Sequence, residues 1–175
     1  MNENKRFEQK GPSPETRAGT LAITLMQKSG EIEKSIGNVT EKTFADLRKV
    51  FDTIEELEKM DMEKVFAPIL SDMALKVKDD EMQDETLDVI LKDVTQDLEE
   101  AQRAITSISK NIPEFRKELK EEEDNFFIKK SAGTPYDAGI LSPEFLRAVS
   151  KDAQYISLKI SSLLSIIGAE GKNLA

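Results

Sequence analysis

Neither cysteine nor histidine occurs in the 175 residues of this chain, and tryptophan is missing as well. Without thiols there are no disulfides, no thiolate nucleophile and no zinc–thiolate site. Without imidazole the usual general base and the commonest metal ligand are gone, and so is the carboxylate–histidine di-iron bundle. A thiol-free chain is tolerated in either redox state, so the compartment stays open. Aromatics make up only 6% of the residues and strand formers are sparse. Long hydrophobic runs are absent too. The longest uncharged stretches, 18–27 and 160–169, are ten residues each, against about 20 for a membrane span. The opening MNENKRFEQKGPSPETR lacks the apolar core of a Sec-type signal peptide. A soluble, cytoplasmic protein is the expectation, with export through another signal as the alternative.

What the chain does contain is charge in helical patterns. Charged residues form 34% of it and hydrophobic residues 38%, with 34 acids against 25 bases for a net charge of −9. An acidic balance argues against covering phosphates, so direct nucleic-acid binding is not expected. Acids and bases alternate along the chain, as on a solvated helical surface. Acids gathered on one face would instead suit a mimic of nucleic acid that engages a basic partner. The clearest pattern runs through Leu87, Leu91, Val94, Leu98, Ala101, Ile105, Ile108, Ile112, Phe115, Leu119 and Phe126, stepping by four and three with one miss at Glu122. That rhythm is the seam of a helix packed against other helices with coiled-coil-like geometry.

Residues 1–12 are polar and unpatterned, an expected disordered tail ahead of one helical domain over 13–168 and a frayed end over 169–175. Ser13-Pro14-Glu15 combines a capping hydroxyl, a proline suited to the first helical position and an acid at the positive end of the dipole. Leu21, Leu25, Ile32 and Ile36, widened by Ile23 and Met26, then line one side of a helix that Gly37-Asn38 stops. Thr40 can cap a second helix, whose apolar face is Phe44, Leu47, Val50, Phe51, Ile54, Leu57 and Met60. A third helix over 62–78 carries Val65, Phe66, Ile69, Leu70, Met73 and Val77, and its Pro68 either kinks it or marks its true first turn. The acidic cluster 79–84 reads as a loop, with Asp84 as cap of the next helix.

Around Pro113 the local signals conflict. Lys110-Asn111-Ile112-Pro113 looks like a stop, yet the four-three spacing runs straight through it, so a kinked rod and a helical hairpin both remain. An unbroken helix over 84–128 would be about 67 Å long, beyond a compact bundle of this size, so a break is expected. The acids of 120–124 read as a solvated helical turn. Phe126 and Phe127 cannot both face one seam, which leaves one for another element or a partner. Residues 129–141, with Gly133, Thr134, Pro135, Asp137 and Gly139, read as the longest irregular connection, and Tyr136 is the aromatic within it. Ser142-Pro143-Glu144 repeats the start signal of Ser13. The final helix has Phe145, Val149, Ile156, Ile160, Leu163 and Ile167 on one stripe, broadened by Leu146, Tyr155, Leu158, Leu164 and Ile166, with Gly168 as its expected end. So wide an apolar surface suits the centre of a bundle, an interface, or insertion at a membrane surface.

One acidic pattern bears on catalysis. Glu55-Glu56-Leu57-Glu58 and Glu85-Thr86-Leu87-Asp88 resemble the Glu-x-x-Glu and Glu-x-x-Asp pairs with which all-α nucleoside triphosphate pyrophosphatases bind Mg²⁺. With 34 acids in the chain, about six such i,i+3 pairs arise by chance, and no base-binding pocket accompanies them. The chain is not assigned to that family.

The sequence thus implies an all-α fold, a five- or six-helix up-and-down or elongated bundle with coiled-coil-like packing. It acts through protein–protein contact in an adaptor, assembly or structural role and self-associates. No catalytic, metal-binding or cofactor-binding residue is assigned, and neither a cofactor nor a small-molecule ligand is expected. The candidate interface is Phe126, Phe127, Tyr136, Tyr155, Leu158, Leu163, Leu164 and Ile166. The alternatives are an exported or membrane-interacting bundle, the acidic mimic and the Mg²⁺-dependent pyrophosphatase.

Overall fold

A computed structural model describes residues 13–79, 85–136 and 139–174, with side chains over 13–75, 88–136, 139 and 141–168. The tail 1–12, the acidic loop with its Asp84 cap, Asp137 and the side chains of Val77, Glu85 and Leu87 lie outside the described residues. The described residues are helical almost throughout: α1 (Pro14–Lys34), α2 (Glu41–Met60), α3 (Met62–Asp79), α4 (Glu85–Ser109), α5 (Ile112–Ala132), a 3₁₀ turn (Gly139–Leu141) and α6 (Pro143–Leu174). No strand occurs among them.

The helix starts follow from the capping residues. Ser13 Oγ accepts the Thr16 N–H at 3.3 Å ahead of Pro14, and Ser142 Oγ accepts the Phe145 N–H at 3.2 Å ahead of Pro143. At the start of α2 the Thr40 N–H donates to Thr43 Oγ1 at 3.0 Å. Asp61, with φ 61°, separates α2 from α3, and its carboxylate accepts the Glu63 N–H at 3.2 Å. Pro68 sits inside α3 and not in its first turn, so the Lys64 carbonyl there lacks its i+4 donor.

The hydrogen bonds between helices fix their directions. Ser150 Oγ donates to Ser29 O at 3.1 Å and Ser157 Oγ to Ala22 O at 2.6 Å, so α1 and α6 run antiparallel. Lys28 reaches Asp46 and Lys42 reaches Glu31, so α1 and α2 are antiparallel as well. Along α2, Glu58 meets Gln102 and Thr106 of α4, Phe51 stacks on Phe115, and Phe44 meets Phe126 of α5. As α2 advances, its partners therefore step back through α5 and then α4. Ser162 of α6 reaches Asp97 of α4 and Tyr155 reaches Glu100, so these two helices are again antiparallel. Four arms alternate in direction around one core: α1, α2, α4 with α5, and α6. Helix α3 packs chiefly along α4.

This arrangement decides the question at Pro113. Helices α4 and α5 are separate, but both run antiparallel to α2, so the pair is a jointed rod and not a hairpin. The joint is Lys110–Asn111, where the Asn111 N–H turns back to Ile108 O at 2.9 Å. Pro113 lies in the first turn of α5, where its missing N–H costs no intrahelical bond. Two expected boundaries are corrected. Helix α5 continues to Ala132, so the irregular connection begins only at left-handed Gly133, where the Gly133 and Thr134 N–H groups return to Lys130 O and Lys129 O. Helix α6 runs through Gly168 to Leu174, since a glycine with φ below zero costs a helix about 1 kcal/mol without ending it.

Val94, Leu98, Ala101, Ile105, Ile112, Leu119 and Phe126 of the four-three seam are buried, and Ile108 and Phe115 pack against the core. The most enclosed helix, however, is α2. Phe44, Leu47, Val50, Phe51, Ile54 and Leu57 are all essentially inaccessible. Helix α6 is a flank of the bundle: its Ser150 and Ser157 lie close against α1 while Leu158 remains 60% exposed.

Candidate functional site

A subset of the charged side chains ties helix seams together with ion pairs. Besides the α1–α2 pairs, Arg48 makes two hydrogen bonds to the Glu123 carboxylate at 2.8 and 2.9 Å. Arg116 holds both Asp52 and Glu55, and Lys130 reaches Glu41 at 2.9 Å. Partial burial alone would lower the guanidinium pKa of Arg116, but its bonds to Glu55 and Asp52 outweigh that and raise it. Lys159 lies 2.6 Å from Glu100 and 3.2 Å from Asp97. Its hydrogen bond to Glu100 pushes the Lys159 ammonium above the ordinary lysine range and holds the Glu100 carboxyl below the ordinary carboxylate range.

The acidic pairs considered for Mg²⁺ are spread over different partners. Glu55 pairs with Arg116, Glu56 with Arg17, and Glu58 accepts from Gln102 and Thr106. Among the described residues no group of three or more carboxylates is placed to hold a metal ion.

The candidate interface residues divide into two groups. Phe126 and Leu163 belong to the chain's own core, and Leu164 and Ile166 pack against it half-buried. Tyr136 is also half-buried, edge-on to Phe126 at 5.3 Å, with its hydroxyl donating to Glu122 at 2.7 Å. It pins the chain between α5 and the 3₁₀ turn. Phe127, Tyr155 and Leu158 are exposed, and Tyr155 donates to Glu100 at 3.3 Å.

Two features emerge only from the packing. The first is the outer face of the α1–α6 pair. Ala22 and Ser157 face each other across the seam, and the residues that follow them, Ile23 and Leu158, turn about 100° away to the outside. Ile23 is 58% exposed, and Met26 joins the same flank. No charge occurs over 18–27, and over 153–167 the one charge is Lys159, which is turned to α4. The scarcity of charge in both stretches could be read from the sequence; that they lie side by side could not.

The second feature is a cavity of about 160 Å³ where α2, the α4–α5 joint and α6 meet. Phe51, Phe115 and Phe145 form its walls together with Val149, and Asn111 and Asp152 supply polar edges. Phe115 stacks on Phe51 at 5.8 Å and meets Phe145 edge-on at 5.3 Å. Asp152 is exposed at the rim, and partial desolvation by these walls pushes its carboxyl above the ordinary value. Among the described residues no helix is long and apolar enough to cross a membrane. Comparison with protein-family models, with curated proteins and with solved structures gives no match to this chain.

Proposed function

We propose, with no relative to reason from, that this chain is a non-enzymatic helical scaffold that acts through protein–protein contact. Its first partner is a second copy of itself, joined through the outer face of α1 and α6. The observation that carries this reading is one flank on which exposed Ile23, Met26 and Leu158 coincide with an absence of charge. At the chain's average, the 25 positions of 18–27 and 153–167 would hold about eight charges, and they hold one. Burial accounts for the inward positions. It does not account for exposed Thr20, Ile23, Met26, Gln27, Leu158, Ser161 and Ser165.

A net charge of −9 supports a like partner on this face in particular. Two copies repel wherever carboxylates oppose one another, and a charge-free surface lets them meet without that cost. Its size sets the strength. Ten residues of α1 are about 15 Å long and two adjacent helices about 20 Å wide, so each copy contributes a few hundred Å². That is below the ~800 Å² per partner of a standard interface, the size class of weak, reversible contacts. The seven-residue spacing from Ala22 to Ser29 and from Ser150 to Ser157 supports coiled-coil packing within the α1–α6 pair.

Light scattering over a concentration series from low to several hundred micromolar tests the reading. Mass should rise from monomer to dimer, and Leu158→Glu should hold the chain monomeric with its helical circular dichroism unchanged. Wild-type protein that stays monomeric at the highest concentration overturns it.

A further inference from the structure

We infer that the cavity at the α4–α5 joint is a binding site for a small hydrophobic ammonium ion, its ring seated against Phe51, Phe115 and Phe145 and its amine at the Asp152 carboxylate. Size points to the ring. About 160 Å³ matches the ~150 Å³ apolar cavity that takes up benzene, so the space holds one aromatic ring and little more. The walls point the same way, because three phenylalanines in stacked and edge-on geometry offer ring faces and edges to a fourth ring.

Asp152 supplies the charge selection. It stands exposed at the rim of the cavity and makes no hydrogen bond or ion pair with the described residues, so its charge is open to a ligand seated in the cavity. Its own helix offers no cation, since the residues three and four positions away are Val149, Ala148, Tyr155 and Ile156. No basic side chain lines the cavity. An anionic ligand would meet this carboxylate unfavourably and a neutral one would gain nothing from its charge. An ammonium ion pairs with it and also gains from neighbouring ring faces. The sequence gives no sign of the site, because α2, α4, α5 and α6 each supply part of it.

Phenethylamine is the probe, titrated into the ¹⁵N-labelled full chain and followed by amide shifts. Saturable shifts should centre on the joint and the first turns of α6. Asp152→Asn, and benzyl alcohol in place of the amine, should each weaken binding by about two- to fivefold. Ala148→Leu fills the cavity from an exposed position and should abolish binding with the thermal midpoint unchanged. Absence of saturable shifts at the joint overturns the proposal. So does equal affinity for wild type and Asp152→Asn, which would mark an apolar hole without charge selection, and so does binding that survives Ala148→Leu.

Discussion

Gly139 is held by two constraints at once. Its φ is +51°, and a Cβ there would overlap the Glu122 carboxylate, which also receives the Tyr136 hydroxyl. Gly139→Ala should therefore cost about 1–2 kcal/mol of stability by urea unfolding. In a Glu122→Ala background the overlap disappears and only the dihedral strain remains, so the cost should shrink. This cluster also explains the one miss in the four-three seam. Glu122 stands where an apolar residue belongs because it faces a phenol and a backbone, not a core. The sequence exposed the irregularity but held no clue to the Tyr136 hydroxyl, which arrives from beyond the turn at Gly133. Phe126 differs, since continuing the seam count alone turns it inward and leaves Phe127 outside. For the Lys159 cluster the pH dependence follows from the signs of the shifts. Stability from the lowered Glu100 carboxyl is present above its unfolded value of about 4.3 and is lost as pH falls through its folded value; that from the raised Lys159 is lost only in strong alkali. The stability difference between wild type and Lys159→Met, from urea melts at several pH values, should be level through neutrality and shrink below about pH 4.

Among the helices, the closeness of α1 and α6 is testable through two glycines of α1. A Cβ at Gly30 would have no atom within 4 Å, whereas at Gly19 it would lie 2.9 Å from Leu164 Cδ1. Gly30→Ala should stabilise by about 0.5–1 kcal/mol in urea melts, the ordinary helix gain, and Gly19→Ala should gain less because Leu164 must move. Helix starts were legible for a local reason: Ser13-Pro14, Thr40 and Ser142-Pro143 each act on their own first turn. The direction taken after Asn111 was not legible. A kink and a hairpin use the same stop residues, and the choice between them rests on Phe51, Asp52, Glu55 and Glu58, some 50 to 60 positions earlier, which pair on both sides of the joint. Distance along the chain likewise concealed the cavity and the pairing of the two uncharged stretches.

For the molecule as a whole, charge decides how association responds to salt. If two copies meet on the uncharged face, the ions screen only the mutual repulsion of two −9 chains. Dimerisation measured by sedimentation should strengthen between 50 and 500 mM salt, values on either side of the ~0.15 M physiological level. Weakening over that range would mean that opposite charges hold the two copies together. The jointed rod carries a different consequence. A break in a helix is ordinarily where a protein bends, but this one is spanned on both sides by α2, through Arg116 to Asp52 and Glu55 on one side and through Gln102 and Thr106 to Glu58 on the other. The joint cannot flex while its splint is in place. Amide hydrogens at 110–114 should then exchange with solvent no faster than those of 51–58, the two segments opening together as one cooperative unit.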